Sequence, residues 1–131
     1  MVNKRFTLQE ANDMLPDIRA DLKQLQRLLE ELEEQIIEHQ KIKAALSSNK
    51  EEPLFELEGK IDFMQHELNM YMDNFSRKGI LIKMIQPALL DFPSIIDGEE
   101  VLICWREGEE RIMHYHGWHD GFLGRKVHPD A

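Results

Sequence analysis

One cysteine, Cys104, stands in the 131 residues, so no disulfide can close within the chain and the fold rests on burial alone. A lone thiol suits a reducing compartment and reads first as a small core residue. No apolar run approaches the roughly 18 residues that span a bilayer, and Met1 to Phe6 lacks the apolar core of a signal peptide. The expectation is a cytoplasmic protein with no membrane partner. Basic charge is also scarce: 16 Lys and Arg face 25 Asp and Glu, and the formal net charge of -9 repels phosphate backbones, which excludes nucleic acid from the expected partners. No serine sits in a nucleophile-elbow context and no glycine pattern forms a phosphate loop.

What is present suits one domain, 1–131, with 42% apolar residues for a core and 31% charged residues for long solvated helices. Thr7 and Glu10 form a capping box, and Phe6 staples onto Ala11, so a helix starts there. Pro16 predicts a break near Leu15 and a restart at Pro16. Leu15, Ile18, Leu22, Leu25, Leu29, Leu32 and Ile36 then alternate steps of three and four, as do Leu54, Leu57, Ile61, Met64, Leu68, Tyr71 and Phe75 beyond the polar break 47–53. Two such stripes predict an antiparallel coiled-coil hairpin over 1–78, loosening toward its tip at His39 and Lys43. Gly79, after Arg77 and Lys78, stops the second helix.

From Ile80 the spacing changes. Ile80 to Ile85, Leu89 to Ile96, Val101 to Trp105 and Arg111 to His116 read as strands, the last three joined as an antiparallel meander by turns at Asp97-Gly98 and Glu107-Gly108. The stretch 116–125, rich in glycine but holding Trp118 and Phe122, reads as an ordered loop packed on the sheet. The fold class is α+β: a helical hairpin followed by a small β-rich unit over 79–131.

Phe6-Thr7-Leu8 through Ala11, Leu15-Pro16, Leu90-Asp91-Phe92-Pro93, Cys104-Trp105 with Gly108-Glu109, His116, and Gly121-Phe122 with Gly124-Arg125 together resemble an uncharacterised bacterial family known as domain of unknown function 2203. The resemblance covers nearly the whole chain. It implies a bacterial cytosolic protein and no known activity.

His114, His116, His119 and Asp120, with His128 further on, form the densest set of potential metal ligands. On a strand His114 and His116 share a face, and the following loop can fold His119 or Asp120 over the same ion, so a divalent metal such as zinc is the one cofactor to expect. Histidines at strand ends are also commonly surface residues bonded to their neighbours. Cys104 joins this set in one hairpin register only: a two-residue turn at Glu107-Gly108 sets it against Arg111, and a three-residue turn reverses the face. Asp91 and Arg125 are charges among apolar or glycine residues, suited to pairing with each other, or Arg125 to binding an anion.

Leu28, Ile37, Ile42, Phe55, Phe63, Met70 and Met72 exceed what two helices can cover, which predicts a homodimer with a four-helix core. Three functions compete: a regulatory module that presents its hairpin to a protein partner, with Glu51 and Glu52 near the tip; a metal-dependent enzyme built on the histidines; and a helical scaffold. The acidic run Glu30 to Glu38 reads as a solvated face.

Overall fold

The computed structural model describes residues 4–46 and 52–131. Two helices, α1 (Leu8–Ala45) and α2 (Glu52–Arg77), precede strands β1 (Leu81–Met84), β2 (Leu89–Ile96), β3 (Glu99–Arg106), β4 (His114–Gly117) and β5 (Lys126–Val127), with a 3₁₀ turn over Phe122–Gly124. The capping box forms as the sequence predicts, with the Glu10 amide donating to Thr7 Oγ1 at 3.0 Å and the Thr7 amide donating to Glu10 Oε1 at 2.9 Å. The break at Pro16 does not occur. Pro16 lies inside α1, where it forfeits one backbone hydrogen bond, but Ala11, Leu15 and Ile18 on either side are buried, and that burial carries the helix through.

The helices pack along Leu15, Ile18, Leu22, Leu25 and Leu32 of α1 as the alternation predicts, with one change of register: Leu28, not Leu29, is buried in the seam. There Leu28 and Leu32 meet Met64, with Ile36, Ile61, Leu68 and Tyr71 at the margin. Further out His39 Nε2 lies 3.0 Å from Glu58 Oε1 across the hairpin. Glu51 and most of the polar break lie outside the described residues.

All five strands join one antiparallel sheet in the order β1-β2-β3-β4-β5. Asp97 and Gly98, at φ 51° and 79°, make the tight turn between β2 and β3, as their identities predict. The second turn is longer than the two or three residues expected. Residues 107–113 form a loop, and Cys104 pairs with His114 rather than with Arg111. Helix α1 holds this loop: Arg19 Nη2 donates to the carbonyls of Glu109 and Glu110, and the Asn12 amide group closes on Ile112, donating to its carbonyl at 3.0 Å and accepting from its amide at 2.7 Å. The strand after it therefore starts at His114, three residues later than the sequence suggests.

The core lies between α1 and one face of the sheet. Leu90 and Phe92 of β2 with Ile103 and Trp105 of β3 pack against Leu8, Ala11, Leu15 and Ile18. Pro93 is tolerated because its missing donor faces away from β3. Its carbonyl, on that same side, accepts from the Phe6 amide at 2.7 Å, so the segment before α1 lies along β2 just beyond Leu81, the first residue of β1.

Candidate functional site

Side chains alternate across a strand, so the residues between the core-facing ones point to the opposite, outer face. On β2 these are Leu89, Asp91 and Pro93, on β3 Leu102 and Cys104, and on β4 His114 and His116. Register sets Asp91 beside Cys104, Cys104 beside His114, and Leu102 beside His116. An outer sheet face is ordinarily wet, yet Asp91 is 2% exposed, Cys104 0% and His116 5%. The segment after β4 covers them, and Trp118, Asp120, Gly121 and Phe122 wall a cavity of about 260 Å³ over Asp91, Cys104, His116, Leu89, Leu102 and Lys83.

Within this site His116 Nε2 lies 3.1 Å from Asp91 Oδ1, and its Nδ1 lies 2.8 Å from the Gly117 carbonyl oxygen. A carbonyl only accepts, so Nδ1 carries a hydrogen, and in the neutral ring Nε2 is then a bare lone pair aimed at a carboxylate. Two acceptors facing one another need a cation between them, whether a proton or a metal ion. The Cys104 thiol completes the group: among the described residues Asp91, Cys104 and His116 bring a carboxylate oxygen, a sulfur and a ring nitrogen within 4.8 Å of one another. Burial, reinforced by the charge of Asp91 and opposed by Arg125, pushes the thiol up to about 12, so without a metal it stays protonated and is no nucleophile at neutral pH.

A second polar group borders the first. Arg125 Nη1 and Nη2 each lie 3.1 Å from an oxygen of Glu109, whose Oε1 also accepts from the Arg106 amide at 2.7 Å. Burial raises the Glu109 carboxyl, but Arg125 and the Arg106 amide together hold it below its ordinary value of 4.5. The Arg125 guanidinium stacks 4.1 Å from the Phe122 ring centroid. The expected Asp91–Arg125 pair is thus replaced by two pairs, because the longer 107–113 loop brings Glu109 to Arg125 and leaves Asp91 to His116.

The family model described as Uncharacterized conserved protein (DUF2203) matches residues 4–127 of the chain. The chain belongs to that family. No curated protein and no solved structure matches it. The DUF2203 match takes in Asp91, Cys104 and His116, and the family's description names no activity.

Of the residues singled out as metal ligands, His116 stands in the three-residue group, whereas His114 faces Glu109, its Nδ1 3.7 Å from Glu109 Oε2. His119 is exposed, and Asp120 enters the cavity wall without belonging to the group. His128 is buried apart from the site, accepting from the Asp130 amide and stacked edge-on with Tyr115. Arg125 has Glu109 as its anion. Sequence reasoning joined Cys104 to the histidines in one hairpin register only, and set Asp91 against Arg125 and not against His116. The signal was available in part: an aspartate within the apolar run Leu89 to Ile96 has no reason to be there without a partner.

Proposed function

We propose that this protein binds a divalent metal ion of the zinc type through Asp91, Cys104 and His116. The convergence of those three donors on the buried outer face carries the reading. Tetrahedral bonds of about 2.0–2.2 Å from nitrogen and oxygen separate two such ligand atoms by roughly 3.3 Å, close to the 3.1 Å between His116 Nε2 and Asp91 Oδ1. The Nδ1 contact to the Gly117 carbonyl is the outer-shell bond that metal-ligating histidines use to fix the ring and present the other nitrogen. Soft sulfur with imidazole and carboxylate suits zinc over magnesium or calcium. Elemental analysis of untagged protein tests it. One equivalent of metal is expected, retained in His119→Ala and lost in His116→Ala and in Cys104→Ser. Metal that survives both of the latter changes, or metal-free protein after growth in zinc, would sink the proposal.

A second reading rests on a separate observation. Phe55, Phe63 and Met70 of α2 are 78%, 65% and 56% exposed, and their spacing of eight and seven puts them on one stripe. This stripe supports a homodimeric, coiled-coil interaction module in the cytoplasm, joined α2 to α2. Light scattering on a sizing column at micromolar concentration checks it: dimeric wild type and monomeric Phe63→Glu are expected, and monomeric wild type rules it out.

A further inference from the structure

A structural zinc ion is closed by four protein ligands, whereas one that acts on other molecules keeps a position open. Here three donors converge, and neither His114, whose buried Nδ1 has no hydrogen-bond partner among the described residues, nor Asp120 on the wall belongs to the group. The three donors line the cavity of about 260 Å³, so the remaining coordination position would open into it.

The wall's polar groups say what would enter. Lys83 of β1 makes no ion pair with any described residue, and the Asp120 carboxylate has no hydrogen-bonded or charged partner among them; both are exposed at the mouth of this cavity and line it. Two glycines leave Asp120 its room. Its Oδ2 occupies the space 2.8 Å from where a Gly117 Cβ would stand, and its Cβ lies 3.1 Å from the corresponding point of Gly124. The charges of a divalent ion, the Asp91 carboxylate and a metal-bound Cys104 thiolate sum to zero. Lys83 therefore offers a cation to pair with an anionic group, and Asp120, which balances it, offers an acceptor to a hydrogen-bond donor beside that group. Trp118 and Phe122 offer an apolar wall for what remains of the molecule.

Resting on the metal-binding reading, we propose that the cavity binds a small carboxylate with an adjacent hydroxyl or amino donor. A carboxylate oxygen takes the open metal position, Lys83 neutralises the anion, and Asp120 accepts from the neighbouring donor. The site is then a ligand-binding metal centre and not a structural staple.

Cobalt-loaded protein tests this, because its visible absorption reports a change of ligand at the metal. Titration with glycolate should shift the bands saturably, at least 5-fold more tightly than acetate. Lys83→Ala should weaken both at least 5-fold at unchanged cobalt content and melting temperature, and Asp120→Asn should remove the preference for glycolate. Retained cobalt with bands indifferent to both anions overturns the proposal in favour of a closed site. Bands that respond equally in wild type and Lys83→Ala overturn the recognition assigned here. Failure to retain cobalt at all defeats the metal-binding reading itself, and with it this one.

Discussion

The two faces of one sheet are buried by different means and to different ends. The inner face presents Leu90, Phe92, Ile103 and Trp105 to α1, an apolar contact in which every buried atom contributes and only shape matters. The outer face interleaves Asp91, Cys104 and His116 with Leu102 and Pro93, and is covered by a glycine-rich segment instead of a helix. Its buried polar atoms must be satisfied one by one, so its arrangement is fixed by directional bonds. A carboxylate, an imidazole and a thiol are buried where leucine would pack more simply, the pattern expected of a site kept at the expense of stability.

The largest effect should come from the inner face. Trp105→Ala removes a fully buried indole and its hydrogen bond to the Glu109 carbonyl, and should cost about 3–5 kcal/mol in urea unfolding. His116→Ala comes next, costing about 2–3 kcal/mol in metal-free protein, because Asp91 is left buried without its partner. Replacing both, as Asp91→Leu with His116→Leu, should cost less than His116→Ala alone while binding no metal. If the double variant is the less stable, the outer face is maintained for stability and the contrast between the faces collapses.

Glu109→Gln should cost about 1 kcal/mol at pH 7, since the half-wet Arg125 pair is partly screened. The folded carboxyl is held below 4.5, so its contribution is fully present above the unfolded value and is lost as pH falls through the folded one. Wild type and variant should therefore converge in thermal melts well below pH 4.5. The smallest effect belongs to Leu123→Ser: Leu123 is 99% exposed on the covering segment, and the change should stay within about 0.5 kcal/mol.

The parts of this fold legible in the sequence are those set by local rules. The capping box at Thr7, the helical stripes, the Asp97-Gly98 turn and Gly79 at the end of α2, with φ 86°, each depend on residues a few positions apart. The continuity of α1 through Pro16 was not legible, because burial against a distant sheet overrides a local penalty. Nor was the face of Cys104. Its register depends on a loop whose length is set by Asn12 and Arg19, residues of α1 about 100 and 90 positions away. The candidate site inherits that difficulty, since Asp91, Cys104 and His116 come from three strands and meet only once the loop is placed.

The bond between Asn12 and Ile112 also imposes an order of events during synthesis. A ribosome releases the chain from its start, so both helices emerge and can pair while the residues that complete the base of α1 are still unmade. Ile112 lies 100 residues downstream of Asn12, and Pro93, which receives the Phe6 amide, is nearly as late. The first turns of α1 thus expose Leu8, Ala11 and Leu15 until the strands that cover them are translated, and a nascent chain stalled before residue 112 should offer that apolar stretch to chaperones.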